Sequence, residues 1–266
     1  MSAAQTSGTP AAAAGTYPDL AGRVAVITGG SRGIGAQTAR ALAANGAKVA
    51  VIGRDEQALA DVAGSITAAG GQALAVRADC TVEAEVQRAA TTVAERLGPV
   101  DILAPFAGGN GLPVPTAEET VAHWREVLDA DLTATFACVH AFLPVMIGRR
   151  RGSIITMSSA AGRQAAHSNA AYAAAKAGVI GFTRHLAGEM GAHGIRVNCI
   201  APSAVENDRM RTWTTAEQRG ELAASFPLRR IGQPEDVASA ALFLASDASA
   251  WITGVTLDIA GGKIML

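Results

Sequence analysis

Arg23-Val24-Ala25-Val26-Ile27-Thr28-Gly29-Gly30-Ser31-Arg32-Gly33-Ile34-Gly35 is the stretch that decides the fold. Its first six residues are mostly apolar and β-branched, the composition of a short buried strand. Glycines at 29, 33 and 35 follow in the spacing G-x-x-x-G-x-G, and a helical run is expected over 36–44. A glycine-rich turn between a strand and a helix closes tightly and lets the backbone approach an anion. The free N–H groups at the helix start then face that anion. The spacing is not the commoner G-x-G-x-x-G, so the turn alone is a weak signal. Its place at the first strand of an alternating pattern gives it weight.

The alternation runs on through the chain. Strands are expected at 48–52, 72–78, 100–104, 152–157, 195–200 and 254–259. Helices are expected at 56–69, 82–97, 121–146, from the Tyr172 region to about 190, and at 234–246. Such a sequence implies an α/β fold built on a parallel sheet covered on both faces. Right-handed crossovers make it a single doubly wound, Rossmann-like domain with a seven-stranded parallel sheet flanked by helices. Ligands of such sheets sit at the carboxyl ends of the strands, where the glycine turn, Ser159 and Pro202 all fall. Residues 1–17, rich in Ala, Gly, Ser, Thr and Pro, are expected to be a disordered extension, and residues 18–266 one domain.

Composition narrows the function classes. With 49% hydrophobic and 17% charged residues, 266 residues can bury a sizeable core. The formal net charge is −1, and the one basic run is Arg149-Arg150-Arg151, which argues against a nucleic-acid partner. No apolar run of membrane-spanning length is expected. Cys80, Cys138 and Cys199 are odd in number and widely spaced, which suggests free thiols in a reducing, cytoplasmic compartment. The five histidines show no zinc-like spacing, so no metal site is expected.

The chemistry-bearing stretch runs from Ser158-Ser159 to Tyr172-Ala-Ala-Ala-Lys176. Alanine between them favours a helix, and a spacing of four puts Tyr172 and Lys176 on one helical face. A phenol is a poor acid or base at neutral pH, but a neighbouring ammonium favours the phenolate. Tyr172 beside Lys176 is therefore a candidate proton donor or acceptor. In isolation the pair reads more readily as a surface tyrosine and a surface lysine on an alanine-rich helix.

Taken together, these motifs resemble the short-chain dehydrogenase/reductase family, in particular 3-oxoacyl-carrier-protein reductase-like ketoreductases. The resemblance runs from about Leu20 to Gly262. It rests on Thr28-Gly29-x-x-x-Gly33-x-Gly35, Asp79, Ala107-Gly108, Ser159, Tyr172-x-x-x-Lys176, Asn198, Pro202, Ile252-Thr253-Gly254 and Gly261-Gly262. It implies that Gly29, Ser31, Gly33, Ile34 and Gly35 line a nicotinamide cofactor's diphosphate and ribose. Asp79 and Cys80 would border the adenine, although Asp79 reads equally as a helix cap. Ala107, Gly108, Pro202, Val205 and Asn207 would complete the cofactor site. Tyr172 would be the general acid in reduction, Lys176 would hold the nicotinamide ribose, and Ser159 would bind the substrate oxygen. The family also implies a homotetramer formed partly through the 121–146 and Tyr172 helices.

Charge argues for the cofactor type. Sites for NAD usually place a carboxylate after the second strand, whereas here Gly53 is followed by Arg54, and Arg32 lies in the glycine turn. Two guanidiniums suit a 2′-phosphate, so NADP(H) is favoured over NAD(H). Asp55 could instead pair with Arg54.

The chain departs from the family pattern at three places. Pro105-Phe106 stands where two asparagines are usual, so local hydrogen bonding must differ. Asp131 stands where the family has the asparagine that holds a water linking the lysine to solvent. It could act through its backbone carbonyl, or its carboxylate could interact with Lys176, and Asp131→Asn is expected to keep or improve activity. Pro202-Ser203 replaces Pro-Gly, with Asn207 where a threonine is common. Residues 203–226 are expected to be an irregular substrate lid carrying Met210 and Trp213. Gly109, Asn110, Gln164 and His167 are further substrate-pocket candidates. The expected function is reduction of a small-molecule ketone by NADPH. The alternatives are an alcohol or sugar dehydrogenase run oxidatively, and a catalytically weak NADP-binding sensor.

Overall fold

The computed structural model describes residues 15–109 and 111–265. Its strands are β1 (Val24–Thr28), β2 (Lys48–Gly53), β3 (Gln72–Arg77), β4 (Ile102–Pro105), β5 (Gly152–Met157), β6 (Ile195–Pro202) and β7 (Thr256–Ile259). They form one parallel sheet in the order β3-β2-β1-β4-β5-β6-β7. All five residues of β1 are buried, because the strand is central and covered on both faces. Ala25 and Ile27 join one core layer, with Leu42, Val49, Val51 and Leu242. Val24 and Val26 join the other, with Val93, Phe142, Met146 and Leu186. The strand order reverses between β1 and β4, which opens a crevice at their carboxyl ends.

Helix α1 (Gly33–Ala44) starts three residues earlier than the sequence suggests. Glycine is a poor helix former, so the pattern places the start after Gly35. Close packing overrides that preference: a Cβ on Gly35 would lie 2.3 Å from the Gly29 carbonyl oxygen. Helices α2 (Glu56–Ala68) and α3 (Glu83–Arg96) follow β2 and β3 as expected.

The long helix is not uniform. It comprises α4 (Val121–Leu128), a π-helical segment (Asp129–Thr133) and α5 (Ala134–Arg149). The Ala134 N–H donates to the Asp129 carbonyl, five residues back. By length and composition alone, 121–149 could span a membrane, contrary to the expectation from sequence. In the fold it packs on α3, β4 and β5 and on α6 (Ala170–Met190).

The segment 203–226 is also more ordered than expected. It holds α7 (Asp208–Trp213) and α8 (Ala216–Ala224). Asn207 caps α7, and Thr215 with Gln218 forms a capping box on α8. Helix α9 (Pro234–Ala245) covers β5 and β6 beside α1.

The expected disordered extension falls mainly on residues 1–14, outside the described set. Tyr17 is anchored: its N–H donates to Asn45 Oδ1 at 2.7 Å, and its ring packs on the core.

Candidate active site

A cleft of about 1320 Å³ lies at the carboxyl ends of the strands. Its floor starts at the glycine turn, with Gly29, Ser31, Arg32, Ile34 and Gly35 in the lining; Gly33 is not among the lining residues. Helix α1 begins without a side-chain cap, so the N–H groups of its first turn remain available to an anion. The glycine-packed turn, the uncapped helix start and the cleft's size fit a dinucleotide. Arg54, Asp79, Cys80, Ala107, Gly108, Ser159, Tyr172, Lys176, Pro202, Val205 and Asn207 also line the cleft.

Local structure explains how the reactive side chains arrive together. Ser158 follows β5 with its N–H donated to Ile200 O, and its hydroxyl donates to Lys176 O at 2.7 Å. Ser159 Oγ accepts from Ala161 N and so caps the short turn Ala160–Gly162. Asn169 caps α6 by accepting from Tyr172 N at 2.7 Å, and its Nδ2 donates to Leu112 O. One buried amide thus fixes both the tyrosine's helix and the loop beyond β4. Sequence reading missed Asn169, although an asparagine just before a helical run is a cap signal. Gly111 lies against the Tyr172 ring, where a Cβ would come within 3.0 Å.

Lys176 is 3% exposed. Its ammonium donates to Met157 O at 3.2 Å and lies 2.9 Å from Asp131 Oδ1 and 5.5 Å from the Tyr172 ring centroid. An ammonium has three donors, so one remains for a group bound in the cleft. Burial works to lower the Lys176 pKa. The opposing charges of Tyr172 and Asp131 outweigh burial, and the net direction is upward. Asp131 is fully buried behind Lys176 and does not line the cleft. The Asp131 carboxylate meets Lys176, and its backbone carbonyl accepts from Thr135 Oγ1 at 3.3 Å.

Asp131 also accepts from Gly109 N at 2.7 Å. Gly108, at φ +135°, has its missing Cβ position only 2.4 Å from Asp131 Oδ1. Gly108→Ala is therefore expected to destabilise the fold by about 1–3 kcal/mol, through a clash and an unfavourable φ. A urea melt of the variant checks this.

The departure at Pro105 has a local solution. Pro105 pairs in register with Thr28, and the Thr28 hydroxyl accepts the Ala107 N–H at 3.0 Å. Elsewhere in the cleft wall, Asp55 pairs with Arg32 at 2.5 Å rather than with Arg54, and also caps α2. Among the described residues, Arg54 reaches only Asp79, at 4.0 Å. Asp79 accepts from the N–H and hydroxyl of Thr81. The Thr81 N–H bond, with help from the hydroxyl and Arg54 and against burial, holds the Asp79 carboxyl below its usual range. It caps its own turn rather than α3, whose N-cap is Val82.

The substrate-side residues divide. Gly109 and Met210 line the cleft, whereas Gln164, His167 and Trp213 do not. Gln164 and His167 are exposed on the loop before α6. Trp213 is 64% exposed, beneath the Arg209 guanidinium at the end of α7. Asn110 lies outside the described residues. Arg125, from α4, and Arg209 line the cleft and were not anticipated. Helical spacing gave no reason to aim Arg125 there.

The chain is similar to known proteins along most of its length. The family model described as Enoyl-(Acyl carrier protein) reductase matches residues 29–263. The 3-oxoacyl-[acyl-carrier-protein] reductase of Synechocystis sp. is 39% identical over 92% of this chain and 98% of its own. The cis-4-hydroxycyclohexanecarboxylate dehydrogenase of Sinomonas cyclohexanicum is 40% identical over 91% of this chain and 97% of its own. The crystal structure of levodione reductase superposes with a TM-score of 0.87 at 32% identity, covering 91% of this chain and 98% of that one.

Proposed function

This chain belongs to the short-chain dehydrogenase/reductase family, and from that premise we propose that it reduces a ketone with NADPH, using Tyr172 as proton donor. The observation that carries the reading is the convergence of Ser159, Tyr172 and Lys176 on the one cleft that also holds the uncapped start of α1. Residues 18–266 act as a single catalytic domain in this reading.

A bound nicotinamide supplies the hydride. Glycine-turn and α1 N–H groups bind the diphosphate. The remaining Lys176 donor holds a ribose hydroxyl. Ser159 Oγ, a hydroxyl that can still donate, orients the carbonyl oxygen of the substrate. Tyr172 would give that oxygen a proton and so neutralise the alkoxide that develops there. In the oxidative direction the same tyrosine takes the proton back. The similarity to the cis-4-hydroxycyclohexanecarboxylate dehydrogenase of Sinomonas cyclohexanicum is the observation that favours this second reading.

The 2′-phosphate preference rests on Arg54 and Arg32, whose side chains are 79% and 64% exposed in the cleft wall. An exposed pair such as Arg32–Asp55 is weak and can yield to a phosphate. Arg54→Ala is expected to raise the NADPH KM about tenfold and leave the NADH KM nearly unchanged. Steady-state kinetics with both cofactors and a panel of small ketones test this; equal effects on the two would remove the charge argument.

Assembly as a homotetramer belongs to the same proposal. Phe136 (52% exposed) stacks on His140 and meets Phe182 edge-on, leaving an apolar face shared by α5 and α6. All three cysteines are free and buried, which suits a reducing cytoplasmic setting.

A further inference from the structure

We propose that the ketone this protein reduces carries a carboxylate, and that the Arg209 guanidinium of helix α7 binds it. The inference rests on the reading above and names the chemical class of the substrate.

Residues 203–230 hold five arginines. Four of them have acceptors. Arg211 pairs with Glu206 at 3.0 Å, and Arg230 pairs with Asp236. Arg219 donates to Thr214 O, and Arg229 donates to Ala224 O. The fifth, Arg209, lines the cleft, and among the described residues its guanidinium has no hydrogen-bond or ion-pair partner. It lies over the Trp213 ring, with Cζ 5.7 Å from the ring centroid. A guanidinium held over an aromatic ring keeps its in-plane N–H donors free. That planar edge matches the two oxygens of a carboxylate. Trp213, itself outside the cleft lining, thus supports the side chain that reaches the cleft.

Local structure fixes where α7 starts. Asn207 accepts from Met210 N at 2.8 Å, and its Nδ2 donates to Val205 O at 3.1 Å. The helix is so tied to the end of β6, the neighbour of β5, after which Ser159 follows. The other charged groups in the cleft lining are already matched. Arg32 pairs with Asp55, Arg54 faces Asp79, and Lys176 pairs with Asp131. Arg125 has Glu126 next to it and Asp129 one helical turn on, both in the lining, and they offset its charge. No acid lines the cleft from the lid, because Glu206 is taken by Arg211 and neither it nor Asp208 is a lining residue. The lid therefore presents one cation beside the apolar Met210. Arg209 is exposed, so solvent and salt screen the pairing and keep its effect modest.

The test is calorimetric titration of the protein, in saturating NADP+, with levulinate and longer open-chain keto acids, each beside its methyl ester. The ester keeps the ketone and removes the charge. The wild type is expected to bind at least one keto acid about tenfold more tightly than its ester, by a margin that shrinks as salt is raised. Arg209→Met should abolish the preference and Arg209→Lys should keep part of it, while ester binding and NADPH affinity stay within about twofold. Arg209→Gln carries the same expectation as Arg209→Met should that variant fold poorly. Equal binding of acid and ester by the wild type, or no binding of either, overturns the proposal. So does a preference that survives in Arg209→Met, or a loss there that falls on NADPH instead, which would assign Arg209 to the cofactor. The titration needs no turnover, so a preference for the acid without any ketone reduction would support the proposal while sinking the functional reading. Reduction without the preference would do the reverse.

Discussion

Replacing Tyr172 by phenylalanine should lower ketone reduction by roughly 10³-fold while leaving NADPH affinity within about twofold. The change deletes one oxygen and keeps the ring. Gly111 packs against that ring rather than against the hydroxyl, and Asn169 caps α6 through the Tyr172 main chain. Lys176 keeps its bonds to Met157 O and Asp131. The fold and the cofactor wall are therefore untouched, and the loss falls on proton transfer alone. Single-turnover kinetics with pre-bound NADPH separate the two effects. A variant that reduces ketones within tenfold of the wild type would remove Tyr172 from the role of acid.

The second large effect concerns stability. Lys176→Met leaves the Asp131 carboxylate fully buried without its cation. An uncompensated buried charge costs about 3–5 kcal/mol, or roughly 10 °C in melting temperature for a chain of this size. The double variant Lys176→Met/Asp131→Asn should recover most of that loss, because the charge is gone from both positions. It should recover none of the activity. Thermal melts of the four proteins decide this; a double variant no more stable than Lys176→Met would mean that the pair is not the source of the effect. The pair also gives stability a pH dependence of fixed sign. Folded Lys176 holds its proton more tightly than the unfolded reference of 10.5. Its contribution is therefore complete below that pH and is lost as pH rises through the higher folded value.

The features legible in the sequence are those whose signal is local. The β1 run, the glycine spacing and the alternation of strands and helices each occupy a short window, and all seven strands fall where that pattern puts them. Tyr172 and Lys176 were legible because helical spacing and family resemblance both point to them, and Ser159 because it falls at a strand's carboxyl end and in the family motif. What escaped has other causes. Nothing in a periodic pattern marks a single widened turn, so the π segment at 129–133 read as ordinary helix. Asp55 meets Arg32 across 23 positions, a distance over which sequence order says little about side-chain pairing, whereas the Asp131–Lys176 contact was one of two readings that the family resemblance left open. The helices α7 and α8 were missed for a different reason: they are short, but Thr215 and Gln218 carried a capping signal that could have been used.

The central claim is best tested by following the hydride. The protein is incubated with NADPH deuterated at the transferring position and with small ketones and enones, and the products are analysed by mass spectrometry and NMR. The account predicts deuterium on the carbinol carbon of an alcohol, with wild-type protein and not with Tyr172→Phe. Deuterium on a saturated carbon beside an intact carbonyl, or tight NADPH binding with no transfer to any acceptor, would contradict it.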